Sequence, residues 1–327
     1  MESKISIVIP YYQREPGILS KALDSIFKQK SGWNIEVVVV DDESPVPAEE
    51  ELRIFSSSCS YPVRVVHQAN GGPAAARNRG LNELSADTKF VAFLDSDDQW
   101  ADNHIERAVK ALQCGYDFYF ADLYHLGQTV GAFSRRGRIR PEEYPEVLPE
   151  TGLHEYRGDM FDQILRGNII GTPTVVYRFE KFQKLRFREE FVYAGEDYLF
   201  WMSLAKLTDK FVFSSRIECT CGKGVNVFSG SGWGTERSMI RLHYEMKYRK
   251  AVKSLFPLNE QQTRENDGVI KGYRQTFVRD ILSRLSNQRL LDYQALRLQL
   301  RLDPQTFLFF LPIAIGIVIE SAMGRKQ

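Results

Sequence analysis

Phe90-Val91-Ala92-Phe93-Leu94-Asp95-Ser96-Asp97-Asp98-Gln99-Trp100 passes from five apolar residues straight into three carboxylates within four positions. The apolar run has the length and character of a buried strand. Carboxylates so close together repel and need a positive partner. Open α/β sheets bind their ligands beyond the carboxyl ends of their strands. A strand that stops at an acidic cluster therefore bears on fold and chemistry at once.

Toward the N-terminus, residues 63–67, 35–40 and 5–9 read as three more strands, the last ended by Pro10. The run 35–40 is nearly all apolar, as in a parallel sheet covered on both faces. Leu19, Ala22, Leu23, Ile26 and Phe27 stand at helical spacing over 18–28. Residues 48–57 and 74–84 are two further helices, with Pro73 suited to a first turn. Downstream, 103–112 reads as a helix and 117–124 as a fifth strand. This alternation predicts an α/β, Rossmann-like, mostly parallel open sheet. Three polar clusters fall at its strand ends: Tyr11-Tyr12-Gln13-Arg14-Glu15, Asp41-Asp42, and Asp95-Ser96-Asp97-Asp98.

Periodicity is lost over 127–157, where Ser134-Arg135-Arg136-Gly137-Arg138 and the prolines Pro141, Pro145 and Pro149 mark a long surface excursion. Loops of this length usually have a function or move. Order resumes with a helix over 159–166 and a strand over 174–177. Gly195-Glu196-Asp197 opens a helix over 198–207, and a glycine-rich stretch over 222–234 precedes a helix over 235–255. The tail is basic: residues 271–303 carry seven cations against Asp280, Asp292 and Asp303. Thirteen uncharged residues, 307–319, follow. A spanning helix needs about 20 apolar residues. The expectation is therefore a helical C-terminal extension whose segment 304–323 lies on an anionic membrane surface, with a core or oligomer helix as the alternative.

The 327 residues are 43% hydrophobic and 26% charged, with a net charge of +1, an ordinary globular composition. So balanced a charge argues against a nucleic-acid partner. Cys59, Cys114, Cys219 and Cys221 complete no zinc site and read as small buried residues in a reducing compartment. Met1-Glu2-Ser3-Lys4 shows no basic region followed by an apolar one, so no secretory signal is expected. The expected place is cytoplasmic, at the inner face of the cell membrane. Three segments are expected: 1–125, a nucleotide-sugar-binding half; 126–234, an acceptor-binding and catalytic half of the same domain; and 235–327, a basic helical region.

Asp97 and Asp98 suit a hard divalent cation, Mn²⁺ or Mg²⁺, which takes oxygen ligands and is completed by substrate phosphates. The alternative is an acidic turn that caps the next helix. Asp41 and Asp42 suit a base N–H or a ribose hydroxyl, or equally a helix cap. In Gly71-Gly72-Pro73-Ala74-Ala75-Ala76-Arg77 small residues allow close backbone approach, and Arg77 can fork onto a phosphate or a carboxylate. Glu196 and Asp197 suit a general base that takes a proton from an acceptor hydroxyl, or simple capping. The residues alone do not choose between them.

Residues 5–12, 40–44, 76–81, 93–98 and 195–197 together resemble, block by block and in order, the family 2 glycosyltransferases, over 5–207. The resemblance implies a GT-A fold, a nucleotide-sugar donor, a divalent metal and inversion at the anomeric carbon. By motif it makes Asp42 the carboxylate that reads the nucleobase, with Pro10, Tyr11 and Arg14 beside it. Arg77 and Asp95 fall on the donor, Asp97 on the ribose or the metal, and Asp98 on the metal. Asp197, with Glu196 beside it, becomes the catalytic base. Tyr11-Tyr12-Gln13 departs from the usual asparagine-containing pattern after strand one. No QxxRW block follows Asp197, which favours one sugar per encounter. The stretch 222–234 resembles C-terminal loops of bacterial exopolysaccharide glycosyltransferases, and makes Lys223, Asn226 and Trp233 donor or acceptor contacts. The expected reaction moves one sugar, from a UDP-hexose by default, to a hydroxyl of a glycan or lipid-linked oligosaccharide. The rivals are a sugar-nucleotide nucleotidyltransferase, which usually shows a glycine- and basic-rich signature after strand one, and a non-catalytic carbohydrate-binding protein.

Overall fold

The computed structural model describes residues 4–30, 32–54, 61–225 and 232–324. Cys59, Asn226 and the end of the expected helix over 48–57 lie outside them. The chain divides into two compact units: Met1–Val192 with Glu196–Val225, and Tyr193–Gly195 with Asn226–Gln327.

The first unit is one twisted sheet clothed by helices. Its strands are β1 (Lys4–Tyr11), β2 (Asn34–Asp41), β3 (Val63–His67), β4 (Thr88–Phe93), β5 (Gln99–Trp100), β6 (Phe118–Tyr124), β7 (Glu146–Leu148), β8 (Leu153–Glu155), β9 (Val176–Arg178) and β10 (Phe211–Thr220). Their order is β3-β2-β1-β4-β9-β6-β10-β8-β7, with β5 pairing β10. β3, β2, β1 and β4 run parallel, as do β6 and β10. β9 enters antiparallel between β4 and β6. The central strands are covered on both faces: Ile5, Ile7, Val8 and Ile9 are wholly buried, and Val37 to Val40 are at most 1% exposed. This agrees with the sequence expectation for an apolar parallel strand. The helix Pro73–Asn82 lies close on β1 because Gly80 has no side chain. A Cβ there would meet Val8 Cγ1 at 2.4 Å.

Periodicity missed the ten-residue strand β10. Its apolar start, Phe211-Val212-Phe213, gives way to Ser214-Ser215-Arg216, where its register with β6 shifts. An irregular ladder spoils the alternation by which strands are recognised.

The second unit is helical: Ser238–Leu255, Glu260–Ser286, Tyr293–Leu302, Gln305–Leu308 and Phe310–Gly324. Asn259 and Gln262 form a reciprocal capping box on the 27-residue helix. Asp303, wholly buried, takes both guanidinium bonds of Arg274 at 2.7 and 2.8 Å and lies 2.7 Å from Lys250 Nζ. These partners hold its carboxyl far below the usual range, despite burial. Among the described residues, no helix is long and apolar enough to cross a membrane.

Candidate active site

The ends of β1, β2, β4 and β10 meet through hydrogen bonds. After β4 the chain turns, with Asp98 N donating to Asp95 O at 3.0 Å. The turn is then clasped by the segment after β10. Gly222 N donates to Asp98 Oδ1 at 3.0 Å, and Gly224 N to Asp97 Oδ2 at 2.9 Å. Both positions must be glycine: a Cβ on Gly222 would lie 1.7 Å from Asp97 O, and one on Gly224 2.6 Å from Asp97 Cβ.

Gln13 ties in the end of β1. Its Nε2 donates to Ser96 Oγ at 2.9 Å, and its Oε1 accepts from Val225 N at 3.0 Å. Only 2% exposed, Gln13 is the residue the sequence reading overlooked, noted there as a departure and never as a part of the site. Tyr11 needs correction as a candidate for the nucleobase. It is 1% exposed and packs in the core, so its ring presents no open face. Arg14 is exposed and Pro10 half-buried.

Asp42 organises the loop after β3. Its Oδ1 accepts from Gln68 Nε2 at 2.7 Å and Gly71 N at 2.8 Å, and its Oδ2 from Gly72 N at 2.8 Å. Asp41 takes the capping alternative, accepting from Ser44 N and Ala48 N, both at 2.8 Å. Asp41, Glu49 and His67 also converge, but both oxygens of Asp41 are spent on those backbone groups.

Arg77 is 4% exposed, so it does not lie in water. Its Nη2 donates to Asp95 Oδ1 at 2.7 Å, its Nη1 stands 3.5 Å from Glu196 Oε1, and its guanidinium sits 5.5 Å from the centre of the Phe187 ring. Of its two sequence readings, phosphate or carboxylate, the structure shows carboxylates. The arginine joins the acidic turn to the carboxylate pair at the start of the helix Glu196–Ala205. In that pair Asp197 Oδ1 accepts from Tyr198 N at 2.8 Å, and Oδ2 takes a long contact of 3.4 Å from Thr172 Oγ1. Gly195, at φ +93, sets up this start, and a Cβ there would strike the Tyr248 side chain at 2.8 Å.

Burial, then Asp197, pushes the Glu196 carboxyl up to about 8 against the pull of Arg77. Asp197 is raised by burial too, and Arg77 opposes the shift. Burial and Asp95 take Asp97 up to about 6, while burial, Asp95, Cys221 and Asp97 take Asp98 up to about 10. Arg77 serves Asp95, but no ion pair among the described residues serves Asp97 or Asp98. Two half-satisfied carboxylates without a cation are the donor set a hard divalent ion takes, so the residues fit Mn²⁺ or Mg²⁺.

Arg77, Asp95, Asp98, Glu196 and Asp197 share a pocket of about 270 Å³, which Gly171, Thr172, Pro173, His125, Arg136 and Cys221 also line. Lys223 is exposed. Trp233, 55% exposed, belongs to the second unit.

The family profile described as "Glycosyl transferase family 2" matches residues 6–186. The succinoglycan biosynthesis protein ExoW of Rhizobium meliloti (strain 1021) is 35% identical over 231 residues, 69% of this chain and 71% of that protein. An uncharacterised glycosyltransferase of Rickettsia bellii (strain RML369-C) is 29% identical over 62% of this chain, which spans only 26% of that longer protein. Among solved structures, S. aureus TarS 1–349 in complex with UDP-GlcNAc superimposes with a TM-score of 0.56 at 20% identity, covering 86% of this chain and 73% of that one. Mannosyltransferase PcManGT from Pyrobaculum calidifontis, in complex with GDP-Man and Mn²⁺, does so at 0.54 and 15% identity, covering 96% and 87%. At these identities the two structures speak for the fold.

Proposed function

On the premise that the chain belongs to glycosyl transferase family 2 and is a glycosyltransferase, we propose that it moves one sugar, with inversion, from a UDP-hexose to a hydroxyl of a glycan or lipid-linked oligosaccharide of a bacterial surface polysaccharide. One observation carries this reading: a buried carboxylate pair with raised pKa, Glu196 and Asp197, shares a sugar-sized pocket with the acidic turn of Asp95 and Asp98.

Asp197 is the base. Arg77 engages Glu196, whereas Asp197 Oδ2 has only the long contact with Thr172, which leaves it lone pairs for an acceptor hydroxyl. Asp197 in turn disfavours a second negative charge on Glu196, so Glu196 holds its proton while Asp197 stays free to accept one. Asp42 and the loop it organises take the nucleoside, with Pro10 and Arg14 at its edge. Gly222–Val225 closes the site from the β10 side, and Lys223 adds charge near the diphosphate. When bound to Asp97 and Asp98, a divalent cation offsets charge on the departing diphosphate. The nucleotidyltransferase and binding-protein readings have no need of a buried base in that pocket.

A peripheral membrane contact through the second unit completes the reading. Leu308, Leu311, Ile315, Val318 and Ile319 are 74, 71, 59, 63 and 50% exposed and recur at helical spacing, an apolar stripe facing outward. Tyr293, at 76%, and Arg297 and Arg301 stand exposed on the preceding helix. Asp303 is buried and Asp292 half-buried, so from 285 onward the first fully exposed acid of the described surface is Glu320. A helix of 15 residues spans about 22 Å, against a hydrocarbon core of about 30 Å, so it suits the interface plane.

The test is a donor screen that measures release of each nucleoside diphosphate, with Mn²⁺, Mg²⁺ or chelator. The expected outcome is UDP release that needs the divalent ion and is lost in Asp98→Ala. Release unaffected by chelator removes the metal from the reading, and release of no diphosphate from any donor removes the reaction.

A further inference from the structure

The arginine run of the excursion after β6 is left unused by the reading above. From Gly127 to Arg140 the chain holds Arg135, Arg136, Arg138 and Arg140 and no acid. A run of cations is ordinarily a solvated face, but this one is held in place at both ends. Gly131 lies so close to Asp122 that a Cβ would be 2.1 Å from Oδ2, and Asp122 Oδ1 accepts from Phe133 N at 3.0 Å. Phe133, 3% exposed, packs edge-on against Phe120 and Phe213. Ile139, 2% exposed, anchors the far side. The arginines between are thus displayed from a fixed turn.

That turn borders the catalytic pocket. Arg136 lines it and donates from Nη1 to Asn168 O at 2.5 Å, and Asn168 lines it too. The Arg138 guanidinium lies over Gly167, where a Cβ would fall 1.6 Å from its Nη1. Arg140 is paired with Glu143, whereas Arg135, Arg136 and Arg138 form no ion pair among the described residues. Arg136 lines a pocket that holds a general base, and Arg135 and Arg138, exposed and without ion pairs among the described residues, flank it in the sequence. Their guanidinium forks match phosphate and carboxylate oxygens.

We propose that Arg135, Arg136 and Arg138 form an acceptor subsite for an anionic group, a phosphate or a carboxylate, carried next to the sugar that receives the transfer. The donor's diphosphate does not fill this role in the reading above, which gives it to the acidic turn and Gly222–Val225. The inference deepens that reading and rests on its assignment of the pocket to the acceptor.

The test is calorimetry on the full chain with its donor side filled by UDP and Mn²⁺, titrated with glucose, glucose 1-phosphate and glucuronic acid. Wild type should bind at least one of the two anionic sugars about ten-fold or more tighter than glucose, and the phosphate and carboxylate arms separate the two sources of charge. In Arg135→Ala/Arg138→Ala that preference should fall below about three-fold, and in Arg135→Lys/Arg138→Lys it should return only in part, as charge without the fork. Thermal melts confirm that the variants fold. Equal binding of all three sugars by wild type, or a preference untouched in the alanine variant, overturns the subsite. Loss of UDP affinity in the alanine variant overturns it as well, by giving the arginines to the donor. Failure of UDP itself to bind wild type counts against the donor reading alone, and the same titrations without UDP then still decide the subsite.

Discussion

Asp197 and Glu196 are adjacent buried carboxylates to which the reading proposed above gives separate tasks. Both are raised by burial, so the pair holds a proton into the range where a free carboxyl has lost it. The base acts in its deprotonated form, so kcat/KM should rise with pH through an apparent pKa above the usual carboxylate value, the direction in which burial moves Asp197. Glu196→Gln keeps a neutral neighbour beside Asp197, so it should leave that rise nearly in place while activity falls less than in Asp197→Asn. Asp197→Asn should cost about 10²–10⁴-fold in kcat. A rise that disappears in Glu196→Gln, or a greater loss there than in Asp197→Asn, would reverse the two assignments. Stability has the same sign: the raised groups favour folding at low pH and lose that contribution as pH climbs through their folded pKa.

Among the elements, the clasp between the acidic turn and the segment after β10 depends on two glycines. Gly224→Ala puts a methyl group where Asp97 stands, so the backbone bond to Asp97 must open. We expect donor affinity to fall about ten-fold or more with little change in melting temperature, read by UDP titration with Mn²⁺. Unchanged affinity would show that the clasp plays no part in donor binding. In the second unit, Arg274→Ala leaves Asp303 with Lys250 as its one remaining cation partner in a wholly buried place. Breaking a buried pair costs about 3–5 kcal/mol where the charge left behind has no partner. With Lys250 still in place the loss should fall below that, measurable by denaturant unfolding. Because the folded pKa of Asp303 is depressed, its contribution is full above the ordinary carboxylate pKa and is lost as pH falls below it. The wild-type advantage over Arg274→Ala should therefore shrink in acid.

For the whole molecule, the tail is less basic in space than in sequence. Arg274 pairs with Asp303, Arg279 with Glu320, and Arg284 is buried 3.5 Å from Asp280. The membrane contact proposed above then rests on the exposed Arg297 and Arg301 with the apolar stripe of 308–319. Leu311→Glu/Ile315→Glu should abolish sedimentation with phosphatidylglycerol vesicles, and Arg297→Glu/Arg301→Glu should weaken it chiefly at low salt. Both should leave UDP release with a water-soluble acceptor intact. Vesicle binding equal to wild type in the first variant would leave the stripe to a protein partner.

Local chemistry made much of this legible in one dimension. Apolar runs that stop at Pro10, Asp41 and Asp95 announce buried parallel strands, because a strand covered on both faces admits almost nothing polar until it ends. The acidic turn, Asp42 and the Glu196-Asp197 pair stand out because such charges at strand and helix ends are costly without a purpose. Non-local contacts were beyond reach. That β9 runs antiparallel between β4 and β6, and that β10 joins β6 through a shifted register, are choices of pairing partner, which periodicity does not encode. Tyr11 belongs to the core as the last residue of β1, and Gln13 to the site because it lies beyond the strand end, where the alternation of faces no longer directs it. Arg77 meets two carboxylates, 18 and 119 positions further along, because the helix that carries it packs on β1 through Gly80. Charge and hydrophobicity are properties of a residue and can be read singly; which charges meet depends on how the sheet closes, and folding settles that.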